Sequence, residues 1–395
     1  MGLILVANPG SSSRKYALYK QGEFGVELAA SLSVETSDNG LIGTLKLGDN
    51  DNKVVELSFT DVTESSVHAE TIMRDNGAIE GEVAIDAIAV RVVAPGSYFM
   101  YDHLIDDEFM GKLTEAKALA PIHVANTLHE LELLRQHHSD VKIVGISDSS
   151  FHKTKPSYAW NYGINIHHAD EYDIKRFGYH GLSAQAAVDT LWGMGKLPPK
   201  IVACHLGSGS SITAVYHGRG LDTTMGYSPL EGVLMATRSG NIDPVAVKVL
   251  RNSLTLDEAQ MEDYLNHQGG LLGLGGSADI RELIEREAAG DHLAHLALTT
   301  LVHTYHKAIG GMLAALGGAD MLVFTGTVGE RSAILRQRIV AHLGFADFTL
   351  DTSVNDACLS PQKPTFISRM GQSKPIIVIP TDEAHQIAKK ATELI

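Results

Sequence analysis

The chain has 395 residues, with 47 Asp and Glu against 32 Lys and Arg and a formal net charge of -15. That length exceeds one ordinary core and predicts two domains, and the acidic balance argues against a nucleic acid or an anionic membrane as partner, since either favours a basic face. The two cysteines, Cys204 and Cys358, form neither a disulfide framework nor a ligand cluster, no apolar run reaches the length of a membrane span or a signal peptide, and a reducing, cytoplasmic setting is expected.

Residues 2–6 form an apolar run, Asn8-Pro9-Gly10-Ser11-Ser12-Ser13 a turn cluster, and residues 15–19 a second strand-like run. Strands are predicted at 29–34, 41–47 and 53–60, and a helix at 64–74. Residues 85–93 are apolar except for Asp86 and Arg91. An arginine in a run that reads as a buried strand is costly to desolvate unless paired. Arg91 is therefore half of a structural ion pair or an anion ligand at the strand's end, and the second reading is preferred. Helical spacing covers 106–117 and 124–137. Residues 141–146 form a strand that ends in SDSSFH. Asp148 is there either a turn cap or a carboxylate lining the ligand crevice beyond the strand's C-terminal end. His180, between Gly178 and Gly181, precedes a helix from about Ser183, and the glycines give a ligand close access.

The second half repeats the opening design. Residues 200–216 read strand, His205-Leu206-Gly207-Ser208-Gly209-Ser210-Ser211 tip, strand. Backbone N–H groups and Ser hydroxyls turned inward at such a tip suit a phosphate, and the repeat predicts a duplicated αβ domain with two phosphate-cradling tips facing across a cleft. Asp222, Glu231, Arg238 and Asp243 then fall among Gly, Thr, Met and Pro with little periodicity, and read as a site. Helices are predicted at 244–252 and 257–265. A Gly-rich run ends at Ser277, the predicted N-cap of a helix carrying Asp279 and Arg281. A long helix at 290–315 and a strand at 320–324 lead to Thr325-Gly326-Thr327-Val328-Gly329-Glu330, a glycine loop before a helix N-terminus and so a platform for an anion or nucleotide. Residues 352–375 read as irregular around Pro361 and Pro364. A strand at 376–379 and a helix at 382–394, capped by Thr381, close the chain, with Glu383 suited to the helix dipole. The domains are placed at 1–150 and 151–383, with the last helix, 384–395, returning to the first.

In chain order NPGSSSRK, RVVAPG, APIH, SDSSFH, GYHGLS, HLGSGSS, DTTMGYSPLEGVLMATRSGNIDP, SADIR, FTGTVGE and PTDEA span nearly the whole sequence. With these motifs the chain resembles the acetate kinase family, of the actin, sugar-kinase and heat-shock ATPase superfold. The resemblance implies an α/β fold of two duplicated actin-like ATPase (ribonuclease H-like) domains flanking a cleft. It implies an enzyme that moves the γ-phosphoryl of ATP directly, in line, to acetate with Mg²⁺ or Mn²⁺, giving acetyl phosphate and ADP. Matched position by position, Asn8 and Glu383 would hold Mg²⁺, Lys15 would assist the nucleotide phosphates, and Arg91 and Arg238 would hold the carboxylate and the transferring phosphoryl. Asp148 would position metal or substrate, and His180 would stabilise the transition state with His123 nearby. His205, Leu206, Gly207, Ser208 and Gly209 would cradle phosphates. Asp279, Ile280 and Arg281 would form the adenosine side with Thr327, Val328, Gly329, Glu330 and Arg331. Val93, Ile122, Tyr179 and Pro229 would receive the methyl group of the acid. The family is usually homodimeric.

The chemistry suits those residue types. A loose, in-line phosphoryl transfer needs positioning and charge neutralisation, not a covalent nucleophile, and a carboxylate acceptor is already ionised at pH 7, so no strong base is required. The chain departs from the family pattern at Ala94-Pro95-Gly96-Ser97, Tyr179, Ala184, Ser208 and Thr327. Three alternatives follow: propionate or another short acid as acceptor; pyrophosphate as donor, suggested by Thr327 and Arg331; and, from another class, a nucleotide-operated binding protein of the same superfold. The arginine pair suits a small anion and weighs against the last.

Overall fold

The computed structural model describes residues 2–10, 13–23, 25–37, 40–48, 52–79 and 83–395, with the side chains of Ser37, Leu119, Ile122 and His123 outside that description. Ser11 and Ser12 of the first turn cluster also lie outside it.

The apolar runs of the first part become β1 (Gly2–Pro9), β2 (Ser13–Gly22), β3 (Gly25–Ser37), β4 (Gly40–Leu47), β5 (Lys53–Val55), β6 (Ala87–Val92), β7 (His103–Leu104) and β8 (Lys142–Ser147). Those of the second become β9 (Lys200–Leu206), β10 (Ser210–Tyr216), β11 (Arg219–Thr223), β12 (Met321–Thr325), β13 (Thr365–Phe366) and β14 (Ile376–Val378). The first sheet runs β5-β4-β3-β2-β1-β6-β8-β7 and the second β11-β10-β9-β12-β14-β13. Stripped of β5 and β4, the two orders are the same. Each has three antiparallel strands, two parallel strands added to the first of them, and a two-residue antiparallel edge. This is an α/β fold of the actin-like, ribonuclease H-like type, written twice.

The chain divides into two compact units: Met1–Ser150 with Asp382–Ile395, and Phe151–Thr381. The return falls ahead of Asp382, two residues before the point read from the sequence, so Asp382 and Glu383 lie with the first unit. In that unit β1 is central, paired antiparallel with β2 and parallel with β6. Its five consecutive buried residues, Leu3 to Ala7, explain why it reads as a continuous apolar run rather than an alternating one. In the second unit the helix His292–Leu316 lays Ala294, Ala297, Leu298, Leu301, Tyr305 and Ile309 into a core shared with Val202, Phe324 and Ile376. That spacing is the apolar stripe of an amphipathic helix.

Several local expectations are corrected. β5 stops at Val55 instead of reaching residue 60. Residues 219–223, unassigned in the sequence reading, form β11, and 352–375 holds the helix Thr352–Ala357 as well as β13. Asp279, not Ser277, caps the helix Ile280–Ala288, accepting from the Arg281 amide at 2.8 Å. Ser277 Oγ is engaged instead with Glu282 at 2.6 Å and the Asp279 amide at 3.1 Å. Asp382, not Thr381, caps the last helix, Glu383–Ala391. No glycine loop follows β12: the helix Gly326–Arg331 starts at once, with Gly326 at φ 79°. A Cβ there would lie 2.6 Å from the Leu206 carbonyl oxygen, so glycine is required by both conformation and space.

Candidate active site

In the first unit three predicted residues from three segments meet around the guanidinium of a fourth, Arg91. Arg91, near the end of β6, donates from Nη2 to Asp148 Oδ2 at 2.9 Å, and its Nη1 lies 3.4 Å from Glu383 Oε2. The same Nη1 donates to Asn8 Oδ1 at 3.3 Å, and Asn8 Nδ2 donates to Glu383 Oε2 at 3.4 Å. Topology explains the meeting. β1, β6 and β8 are parallel neighbours, so Asn8, Arg91 and Asp148 all stand at C-terminal strand ends, and the N-terminus of the last helix brings Glu383. Asp148 is 0 % exposed. Burial alone would lower the pKa of Arg91, but Asp148 and Glu383 hold it above its ordinary value. The cluster carries two carboxylates against one cation. The ion-pair reading of Arg91 is present, and the residue stands near its strand's end.

Lys15 is exposed on β2 opposite Asn8 in register, and Val93 directly follows β6. Ile122 and His123 fall in the first turn of the helix Pro121–His137, with side chains outside the described set.

In the second unit β9 and β10 extend further into the hairpin than the sequence suggests, leaving Gly207, Ser208 and Gly209 as the tip. Two expected phosphate-facing hydroxyls are corrected. Ser210 and Ser211 are buried, the first bonded by Tyr305 Oη at 3.1 Å and the second to His180 Nδ1 at 3.1 Å. Ser208 is the exposed hydroxyl of the tip. His180 and His205 lie ring against ring, 4.2 Å between centroids, and His205 Nδ1 contacts Ser183 Oγ at 2.8 Å. His180 has φ 58° and ψ 26°, a left-handed conformation unusual for a residue with a side chain. Gly178, at φ 85°, shares that turn, and a Cβ there would meet Thr223 at 2.5 Å.

A Cβ on Gly209 would lie 3.0 Å from Arg238 Nη1 and 3.3 Å from His180 Nε2. The tip, Arg238 and His180 therefore form one tight group. Pro229 joins it through its carbonyl, 3.5 Å from Arg238 Nη1. Tyr179 is buried, and its hydroxyl donates to the Tyr227 carbonyl at 2.7 Å. Of the charged residues that read as a site beside Arg238, three have local structural roles. Glu231 pairs with Arg176 at 3.2 Å and accepts from Tyr162, Asp243 caps the helix Pro244–Leu254, and Asp222 accepts from the Thr223 amide at 2.8 Å.

Leu206, expected at the phosphates, and the residues expected at the adenosine divide by exposure. Leu206 and Ile280 point into the core and Gly329 is buried, so only their backbones could face a ligand. Val328 packs partly against that core, and Glu330 is occupied by the amide and hydroxyl of Thr381 at 2.8 and 2.9 Å. Thr327 and Arg331 are exposed, as is Arg281, which lies in a fork against Asp279 with Nη2 to Oδ2 at 2.6 Å. Sequence reasoning missed Asp102 and Lys390, which flank the Asp148 loop at 2.6 Å from each other. It also missed buried Arg14, paired with Glu130 behind the first hairpin. Pairs so distant in sequence leave no local pattern.

The acetokinase family profile matches residues 3–389. The acetate kinase of Carboxydothermus hydrogenoformans is 36% identical over 398 residues, 99% of each chain. That of Caldanaerobacter subterraneus subsp. tengcongensis is 37% identical over 401 residues, 99% of this chain and 98% of its own. Among solved structures, a propionate kinase from Francisella tularensis subsp. tularensis SCHU S4 is similar with a TM-score of 0.89 at 32% identity, covering 100% of both chains. Porphyromonas gingivalis acetate kinase gives 0.86 at 30%, again over 100% of both. With the profile and the relatives aligned almost end to end, the chain belongs to the acetokinase family, the carboxylate-directed kinases.

Proposed function

We propose that the chain catalyses Mg²⁺-dependent, reversible phosphoryl transfer from ATP to acetate, giving acetyl phosphate and ADP. The observation that carries this reading is the cluster of Arg91 with Asp148, Glu383 and Asn8. A guanidinium offers several donors in a fixed fork, which suits a carboxylate or a phosphoryl group. The cluster also fits a hard divalent cation. Its acceptors are all oxygens and its charges sum to one excess negative, whereas Mg²⁺ is commonly held by one or two carboxylates together with water and substrate phosphate. Asn8 and Glu383 would hold the ion, with Asp148 orienting it or the substrate. Mg²⁺ when bound supplies neutralisation of the phosphate oxygens.

The protein's own groups supply the rest. Arg91 binds the acid's carboxylate, which attacks without a base because it is already ionised. In the second unit Arg238 and His180, packed against Gly209, offer donors to the charge that spreads over the equatorial oxygens of the transferring phosphoryl. The short tip, with Gly207 and Gly209 on either side of Ser208, lets that group approach the backbone closely at the two glycines. Ser208 and Lys15 are assigned to the nucleotide phosphates, and the exposed Arg281, Thr327 and Arg331 to the nucleoside. Propionate is the second reading for the acceptor, favoured by the likeness to the Francisella propionate kinase.

A hydroxylamine trap for acyl phosphate tests the assignment, with Mg²⁺, ATP or pyrophosphate, and formate, acetate, propionate or butyrate. Product from ATP with acetate is expected; product from pyrophosphate alone overturns the donor, and product from propionate but not acetate overturns the acceptor.

The homodimer is assigned to the helix Pro244–Leu254. None of its residues is buried, and Ile242, Val245 and Val249, one stripe of it and its approach, are 40%, 67% and 59% exposed. Its Arg251 pairs with Glu258 of the following helix, Glu258–His267, at 3.6 Å. The exposed apolar stripe is then what a copy related by a two-fold axis would cover. Sedimentation of the Val245→Asp/Val249→Asp double variant should show a monomer where the parent chain is a dimer; an unchanged mass removes this helix from the interface. No helix among the described residues is long and apolar enough to cross a membrane. Both cysteines are free and buried, which suits the proposed cytoplasmic placement.

A further inference from the structure

We propose that Lys390 and Asp102 are positioning residues for Asp148 and Glu383, holding the two carboxylates at a fixed separation for the metal; this rests on the function proposed above. Lys390 lies in the last turn of the helix that Glu383 begins, about two turns further on. Its Nζ stands 2.6 Å from Asp102 Oδ2 and donates to Ser150 Oγ at 2.6 Å. The other oxygen of Asp102 accepts from the Ser147 amide at 2.8 Å, one residue before Asp148. Ser147 in turn donates its hydroxyl to the Phe99 carbonyl and accepts from the Ser149 amide at 3.1 Å, while Ser150 Oγ donates to the Ser147 carbonyl at 3.1 Å.

The Asp148 loop is thus tied on both sides of the carboxylate, and the tie ends on the helix that carries Glu383. A lysine serving only as a helix C-terminal cation would lie against its own helix's last carbonyls. Here Nζ reaches two residues of other segments, and Asp102 relays it to the Asp148 backbone.

Arg91 cannot supply this alignment throughout a turnover. It bridges Asp148 and Glu383 when it faces them, but a guanidinium that turns toward a substrate anion surrenders part of those bonds. Two carboxylates left together repel each other. The Lys390–Asp102 link uses neither Arg91 nor the two carboxylates, so it persists while they bind.

Lys390→Met and Asp102→Asn test the link in the full-length chain, the latter retaining an acceptor for the Ser147 amide. With ADP present, Mn²⁺ affinity, read from the paramagnetic resonance of the free ion, should fall about 10-fold in each, within the range for lost outer partners of a metal ligand. The KM for Mg²⁺ should rise equally, the KM for ATP stay within about twofold, and amide exchange at 147–150 quicken. The double variant should be no worse than the weaker single one, since one link is broken in all three. Lys390→Arg should restore affinity.

Unchanged Mn²⁺ affinity in folded Lys390→Met and Asp102→Asn, whatever their melting temperatures, overturns the proposal. Should Lys390→Met fail to fold, Lys390→Gln, which keeps a donor for Ser150 without the charge, decides by the same measurement. A parent chain that forms no acyl phosphate overturns the function proposed above, while the Mn²⁺ comparison still decides this one.

Discussion

The two β-hairpins that open the two sheets share their topology and differ in what stands at their ends. At the end of β1 the groups are ionic: Arg91 lies between Asp148 and Glu383, with Asn8 bonded to both Arg91 and Glu383. At the end of β9 they are close-packed around a glycine: Gly209 lies against Arg238 and His180, and neutral contacts to Ser211 and Ser183 orient the imidazoles. One scaffold thus carries two kinds of strand end. On the function proposed above, the first suits a cation and a carboxylate, the second a phosphoryl group that must come close to backbone.

The largest expected effect separates the two arginines. Arg91→Ala and Arg238→Ala should each lower kcat about 10²–10³-fold, the range seen when one donor to transition-state charge is lost. Their stabilities should diverge. Removing Arg91 leaves the fully buried Asp148 without its 2.9 Å partner, and breaking a buried pair on one side costs about 3–5 kcal/mol. Arg238 reaches two neutral acceptors, the Pro229 carbonyl at 3.5 Å and the Met235 sulfur at 3.7 Å, and removing a donor to neutral groups costs less than stranding a buried charge. Its loss should lower the urea midpoint less than the loss of Arg91 does. Equal stability losses in the two variants would erase the distinction between an ionic and a close-packed end, and near-normal turnover in either would remove that arginine from the reaction.

The same substitution made in both hairpins sharpens the contrast at smaller scale. In Gly209→Ala the new Cβ meets the far ends of two side chains, Arg238 Nη1 at 3.0 Å and His180 Nε2 at 3.3 Å. These can yield by a few tenths of an ångström, so the fold should survive while turnover falls about 10-fold through misplaced donors. In Gly10→Ala the Cβ lies 2.6 Å from the Ser13 carbonyl oxygen, the acceptor of the Gly10 amide at 2.9 Å. Backbone cannot yield so cheaply, and about 1–3 kcal/mol of stability should be lost. Thermal unfolding and kcat measured on the pair decide it. The contrast fails if Gly209→Ala unfolds early or Gly10→Ala keeps its melting temperature.

What the sequence disclosed followed from what each residue does locally. Strand, Gly and Ser tip, strand is a local pattern, so both hairpins and their kinship were legible. An arginine inside an apolar run is a local anomaly, so Arg91 stood out before its partners were known. Of its partners, Asp148 was a candidate from its own strand end, whereas Asn8 and Glu383 were legible as site residues only through the family resemblance. Glu383 comes to Asn8 across the length of the chain, and nothing near Asp102 or Lys390 announces their link. The errors have local causes too. Gly326 reads as a loop residue, yet its φ of 79° is the entry to a helix. Ser277 and Thr381 are good caps in type, but each stands ahead of an aspartate that takes the position. Glu231 and Asp243 are charged residues in a glycine-rich segment, and that pattern does not distinguish a ligand from an ion pair or a helix cap.

The last contrast concerns how each unit treats a buried cation. In the first unit Arg91 lies among carboxylates and its pKa is raised despite burial. In the second, Lys155, 4 % exposed, donates to the Arg176 carbonyl at 2.5 Å, and burial pushes it down to about 8, only partly opposed by Asp222. The unfolded chain then keeps the lysine proton up to about pH 10.4, whereas the folded chain releases it from about 8. Between those values the unfolded state binds more protons, so stability from this group rises with pH, and the full penalty is present below about 8. Over the whole window the gain is roughly 3 kcal/mol, at 1.36 kcal/mol per pKa unit. The measurement is urea unfolding of the parent chain and Lys155→Met from about pH 7 to pH 10, reading the difference between them so that other titrating groups cancel. That difference should climb in favour of the parent chain as pH rises. A flat difference would mean that the Arg176 carbonyl with Asp222 and Glu231 compensates the ammonium as fully as the carboxylates do for Arg91, and the contrast between the two units would then be confined to their strand ends.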